Sequence, residues 1–174
     1  GGYTQGMSYL GATLMVVLPP ATAFLCLTNL LALRFFPPFL QMNLEQIELR
    51  WRTFEILLGQ ECPYLACHLD QVGFTSDLFI TDWWLTLFSK DFPIEIAARV
   101  WDCFLLEGEP YLFKAAIGVC KHVEPQLLGQ PMEVCHGVIG KVGKAITPDA
   151  FFAAAASVGV SANFIREMLR PSTA

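Results

Sequence analysis

From Gly1 to Leu33 the chain carries no charged side chain, and inside that run stands the doublet Pro19-Pro20. A stretch of this kind folds either as a membrane span or as helices that bury their surface in protein. The doublet decides between them. It splits the run into pieces of 18 and 13 residues, whereas a spanning helix needs about 20 consecutive apolar residues. Neither piece is flanked by basic anchors on both sides. Two buried core helices, Met7 to Leu18 and Ala21 to Ala32, are therefore expected, with Pro20 in the first turn of the second, where its missing donor is not needed. A membrane-embedded helical protein built on Met7 to Leu33 is the alternative.

The rest of the chain repeats the helical pattern. Residues 34–42 hold Pro37-Pro38 and read as an irregular connector. Leu44, Ile47, Trp51, Phe54 and Leu58 then recur at spacings of three and four, with Glu45, Glu48, Arg52 and Glu55 opposite, which predicts an amphipathic helix. Further helices are expected from Pro63 to Gln71, stopped by Gly73; from a Ser76-Asp77 cap through Trp83 to Phe88; from Ile94 to Leu106; and, after the turn 107–110, from Tyr111 to His122. Gly129-Gln130-Pro131 opens another through Val142. Thr147-Pro148-Asp149 gives a cap, a proline and an acid in the order that starts a helix at Ala150, and Ser161 begins a last one that Pro171 ends. No strand-like alternation competes with this pattern, so residues 1–174 read as one all-α domain, an array of short and medium helices with no sheet.

Charge and cysteine usage exclude several functions. A net charge of -5 with eleven basic residues dispersed along the chain argues against nucleic acid, whose phosphates demand clustered Lys and Arg, and against an anionic membrane surface. Six cysteines stand in a chain with no basic n-region ahead of its apolar run, so disulfides are not expected and a cytoplasmic address is. Cys62, Cys67 and His68, Cys120 with His122, and Cys135 with His136 lack the tight two-residue spacing of a zinc ribbon, so no metal site is expected. Enzyme signatures are missing as well. There is no phosphate-binding loop with Lys and no Gly-x-Ser-x-Gly elbow, and the acids Glu107 and Glu109 lie in a turn with nothing around them to shift their pKa values. The composition supports an interaction module.

One stretch stands apart as a candidate for chemistry: Gly1-Gly2-Tyr3-Thr4-Gln5-Gly6-Met7-Ser8. It sets the carboxamide of Gln5, which offers two donors and an acceptor, between glycines that allow close approach of a ligand. Such an amide holds a water or bridges two partners; it does not carry protons.

Tyr3-Thr4-Gln5-Gly6-Met7 resembles the Tyr-x-Gln-Gly-Met motif of the TBC family of Rab GTPase-activating proteins. Three more stretches match that family in order: Pro63-Tyr64-Leu65 with His68-Leu69, Trp84-Leu85 with Leu87-Phe88, and Arg99-Val100-Trp101-Asp102 with Glu107-Gly108. Ser8 departs from the family's usual asparagine. The resemblance implies an activator acting in trans on a Rab GTPase rather than an enzyme with its own substrate site, and its association with endomembranes would be peripheral, through that partner. Gln5 would be the glutamine finger, Tyr3, Gly6 and Met7 its supporting loop, and Arg99, Trp101 and Asp102 scaffold, with Arg99 and Asp102 expected to form a local ion pair. The chain would need no cofactor, since GTP and Mg belong to the partner. The family's arginine finger lies upstream of the Tyr-x-Gln motif, so residues 1–174 are expected to be a partial TBC domain that lacks the preceding helices and tends to aggregate alone. A TBC scaffold that binds Rab without catalysis is the other reading within the same fold.

Overall fold

The computed structural model describes residues 4–170, and among them every regular element is a helix. In chain order these are α1 (Met7–Val17), α2 (Pro20–Leu31), α3 (Pro37–Leu40), α4 (Leu44–Glu61), α5 (Pro63–Gln71), α6 (Asp77–Leu85), α7 (Ile94–Glu107), α8 (Glu109–Leu127), α9 (Met132–Ile139), α10 (Val142–Ala145), α11 (Pro148–Ala156) and α12 (Ala162–Met168). The caps explain several starts. Asn43 accepts from the Gln46 amide, Thr147 from that of Ala150 and Ser161 from that of Phe164, each satisfying one donor that a helix start leaves without a partner.

The body is built around α8. Leu112, Phe113, Ala115, Ala116, Ile117, Val119 and Cys120 are all fully buried, so neighbours must cover this helix on more than one side. Helix α11 crosses it at Gly118, where a Cβ would lie 2.5 Å from the Ala155 nitrogen and 2.8 Å from the Ala154 carbonyl carbon. Helix α4 is tied to the same body by polar groups. Buried Arg50 binds Glu109 at the start of α8 (Nε–Oε1 2.6 Å), and Lys121 of α8 binds Glu61 (2.8 Å) and the Ser157 carbonyl (3.2 Å). Aromatic rings bridge the layers: Trp84 lies 4.6 Å from Phe113 and 5.8 Å from Phe54, and Phe88 lies 5.8 Å from Phe151.

Several expectations change. Helices α1 and α2 pack on each other but are not core helices: Leu10, Ala23 and Leu30 are buried, while Met15, Val16, Val17, Phe24 and Leu25 are 59–75% exposed. No helix among the described residues is long and apolar enough to cross a membrane. The connector at 34–42 contains α3, because a proline at its start needs no amide partner. Helix α6 ends at Leu85 rather than Phe88, since Leu87 and Phe88 take positive φ (46° and 66°) and thereby both bury completely. The Ser76 hydroxyl does not cap α6; it donates to Glu55 of α4. Helix α8 runs five residues past His122 and through Pro125, and the stretch after Pro131 is broken into α9 and α10. Pro171 lies outside the described residues.

The crossing of α8 and α11 predicts an asymmetric response to glycine replacement. Gly118→Ala must separate two backbones and is expected to destabilise the fold by about 1–3 kcal/mol or more, whereas Gly59→Ala, in α4 with nothing within 4 Å of the added carbon, should stabilise it by roughly 0.5–1 kcal/mol. Urea unfolding of the two variants checks this; equal effects would contradict the described crossing.

Candidate functional site

Gln5 sits on a turn that leads into α1. The Met7 amide donates to the Thr4 carbonyl (3.2 Å) and the Tyr9 amide to the Gly6 carbonyl (3.0 Å), while the Thr4 amide meets the Met7 sulfur at 3.4 Å. Within this turn Gln5 is exposed and Gly6 is buried. The amide therefore projects outward while the next residue anchors the loop. Met7 is half-buried and begins α1; Tyr3 lies outside the described residues.

Gly6 is required by its backbone more than by its space. It has φ 109° and ψ -30°, a conformation open essentially to glycine. A Cβ there would meet the Thr86 methyl at 3.5 Å and Leu85 Cβ at 3.8 Å, which is ordinary contact. The turn thus rests on the C-terminal end of α6. That end is itself firmly made: the Leu87 amide donates to Trp84, the Phe88 amide donates to Trp83 (2.7 Å), and the Thr86 hydroxyl donates to the Asp82 carbonyl (2.8 Å). The two bonds from Leu87 and Phe88 close the helix in the manner usual for a left-handed cap, here made by two non-glycine residues that total burial holds in place. Lys90 forms an ion pair with Asp82 on the same corner. Its ammonium is held above the usual lysine range, first by the hydrogen bond to Asp82 and, against some desolvation, by the charges of Asp82, Asp91 and Tyr9.

The other motif residues serve the frame. Leu65 and Leu69 are buried in α5, and the ring of His68 contacts the Gln130 carbonyl at 3.0 Å. The Trp84 indole donates to the Leu112 carbonyl (3.3 Å) and that of Trp101 to Ser89 (3.0 Å). The expected ion pair between Arg99 and Asp102 does not form. Instead the Arg99 guanidinium stacks 3.7 Å from the centre of the Phe152 ring on α11, where a flat, weakly hydrated cation gains from the ring face, and Asp102 is exposed.

Nothing in the linear pattern pointed to the Leu85-Thr86 seat, because its partner is 80 residues away and neither side chain is chemically distinctive. That pattern also gave no sign of the environment of Glu109. Far from being unperturbed, that carboxyl is pushed above the usual range by burial, against the opposing pull of Arg50 and Arg34. Two cysteine arrangements form through space. Cys135 approaches His68 at 4.0 Å, yet burial raises its thiol pKa and the group donates to the Leu127 and Gln130 carbonyls. Burial and Glu124 push Cys62 up to about 12. Neither thiol has the lowered pKa of a nucleophile.

The model of the Rab-GTPase-TBC domain matches residues 1–128. TBC1 domain family member 12 of Xenopus tropicalis and TBC1 domain family member 14 of Mus musculus are each 32% identical, over 90% of this chain and 23% of their own length. Carabin of Mus musculus is 28% identical over 97% of this chain and 39% of its own. Among solved structures, the Chlamydomonas flagellar RabGAP TBC domain superposes with a TM-score of 0.76 at 27% identity, covering 91% of this chain and 54% of that one. The chain therefore spans about a quarter of the length of the TBC1 relatives.

Gly6→Ala tests the seat. Forcing an alanine to φ 109° should cost about 1–3 kcal/mol and raise amide exchange at Met7 to Tyr9 before it affects α8. Unchanged exchange in the turn would contradict the anchoring role of Gly6.

Proposed function

The chain belongs to the Rab-GTPase-TBC domain family, and from that premise we propose that it is the glutamine-bearing part of a domain that accelerates GTP hydrolysis on a Rab GTPase. The observation that carries the reading is the exposure of Gln5 on a turn whose next residue is buried against α6. In phosphoryl transfer the activator supplies position and charge rather than covalent chemistry. Negative charge spreads over the γ-phosphoryl and leaving oxygens, and the attacking water must be oriented. A carboxamide can accept from that water and donate to a phosphoryl oxygen at once, and a turn anchored at Gly6 would hold it without further ordering cost. GTP and Mg would belong to the partner.

The complementary arginine is proposed to come from residues upstream of the motif. Four of the six arginines serve elsewhere: Arg50 pairs with Glu109, Arg52 with Glu48, Arg99 stacks on Phe152, and Arg166 caps the Glu107 carbonyl; Arg34 and Arg170 line a groove that does not include the Gln5 turn. An arginine finger contributes roughly 10³ to 10⁵ in rate, about 4 to 7 kcal/mol of barrier. This chain alone should therefore stimulate hydrolysis weakly.

The test is single-turnover GTP hydrolysis on a panel of Rabs with the upstream residues restored. Gln5→Ala is expected to lower stimulation by about 100-fold or more while leaving Rab binding within a few-fold. Equal stimulation by parent and variant would remove Gln5 from the reaction, and Rab binding with no stimulation by either would leave the non-catalytic scaffold as the function.

A further inference from the structure

Four of the six arginines, dispersed in sequence from residue 34 to residue 170, converge on one groove of about 450 Å³. Arg34 reaches it from the segment after α2, Arg50 from α4, and Arg166 and Arg170 from α12 and its end. The groove lies between these elements and the α7–α8 turn, whereas the Gln5 turn rests on α6. Basic residues that look scattered along the chain are thus gathered in space, against a net charge of -5 for the whole.

Among the described residues the one carboxylate lining this groove is already committed. Glu109 accepts from Arg50 at both oxygens (2.6 and 3.3 Å), and Arg50 spends its remaining nitrogen on the Gln46 carbonyl and side chain. Arg166 is held by neutral acceptors, the Glu107 carbonyl (2.8 Å) and the Asn163 amide oxygen (3.0 Å), which fix its plane but leave its charge unmatched. Among the described residues no carboxylate lies within 4.0 Å of Arg34, Arg166 or Arg170. Glu109 also feels the charge of Arg34, so among the described residues four guanidinium groups share one carboxylate on this concavity, an excess of positive charge that favours an anion.

From this we infer that the groove is a binding site for a phosphate monoester, carried either by a soluble molecule or by a lipid head group. Such a group brings a charge of about -1.5 to -2 at pH 7 on three acceptor oxygens, which suits planar arginine forks approaching from different elements. The groove falls within the roughly 300 to 1,000 Å³ range of small-ligand sites. An extended acidic peptide would spread fewer charges over the same space.

The experiment measures binding of inositol hexakisphosphate to the protein by calorimetry, and co-sedimentation with phosphatidylcholine vesicles with and without phosphatidic acid. Arg34→Gln is the first variant, because Arg34 makes no hydrogen bond or ion pair among the described residues and its loss leaves the fold intact; Arg34→Gln with Arg170→Gln is the second; Lys144→Gln, exposed and outside the groove, is the control. Each arginine removed should weaken binding about tenfold, with Lys144→Gln unchanged. Arginine-dependent binding in the soluble arm assigns the site to a free phosphorylated molecule, and in the vesicle arm alone to a lipid head; both support it. The inference is overturned by absence of binding in both arms, by binding that ignores Arg34 and Arg170, or by a pentaglutamate peptide that binds as tightly with the same arginine dependence.

Discussion

A helix with almost no wettable side is the constraint from which the rest follows. From Leu112 to Cys120 only Lys114 escapes full burial or close backbone contact in α8, so every neighbour is positioned by the need to cover it. Helix α11 meets it backbone to backbone at Gly118, α4 meets it through Arg50 and Lys121, and α6 meets it through the Trp84 indole, which bonds the Leu112 carbonyl and stacks near Phe113. The last contact reaches the end that carries Gln5. Trp84 fixes α6, the buried left-handed pair Leu87 and Phe88 fixes where α6 stops, and the stop presents Leu85 and Thr86 to Gly6. The exposed amide of Gln5 is thus one residue removed from a rigid line that begins in the core.

On the proposed function, that line would let a flexible-looking motif act with precision. Glycine next to a functional group usually loosens it, but here the glycine is buried and holds a φ of 109° that L side chains rarely adopt. The strain sits in neighbours that total burial over-determines. Leu87 and Phe88 each hold a left-handed backbone that bulky residues rarely adopt, and they do so because an extended exit would expose two large side chains.

Periodicity made the helices legible, and cap chemistry made Asn43, Thr147 and Ser161 intelligible as starts. Where the pattern misled, the reason was tertiary. The run from Met7 to Leu33 is apolar enough for a core, yet apolarity does not say which faces are covered, and Phe24, Leu25 and Val17 stay outside. An Arg three residues before an Asp suggests a pair on one helix, but the Phe152 ring of another helix offers Arg99 a better surface. Glu109 looks idle in its turn until Arg50, 59 residues earlier, closes on it. The candidate amide was legible because its motif is local; its seat and the arginine groove were not, since both are made by residues far apart in sequence.

The account stands on Gln5 entering a partner's nucleotide site while α6 holds its turn. A structure of the domain, with its upstream residues, bound to a Rab carrying GDP and aluminium fluoride examines this most directly. The carboxamide of Gln5 is expected within about 3 Å of the water in line with the fluoride, with Gly6 still seated on Thr86. A complex in which the GTPase's own glutamine holds that water, and Gln5 faces solvent, would contradict it.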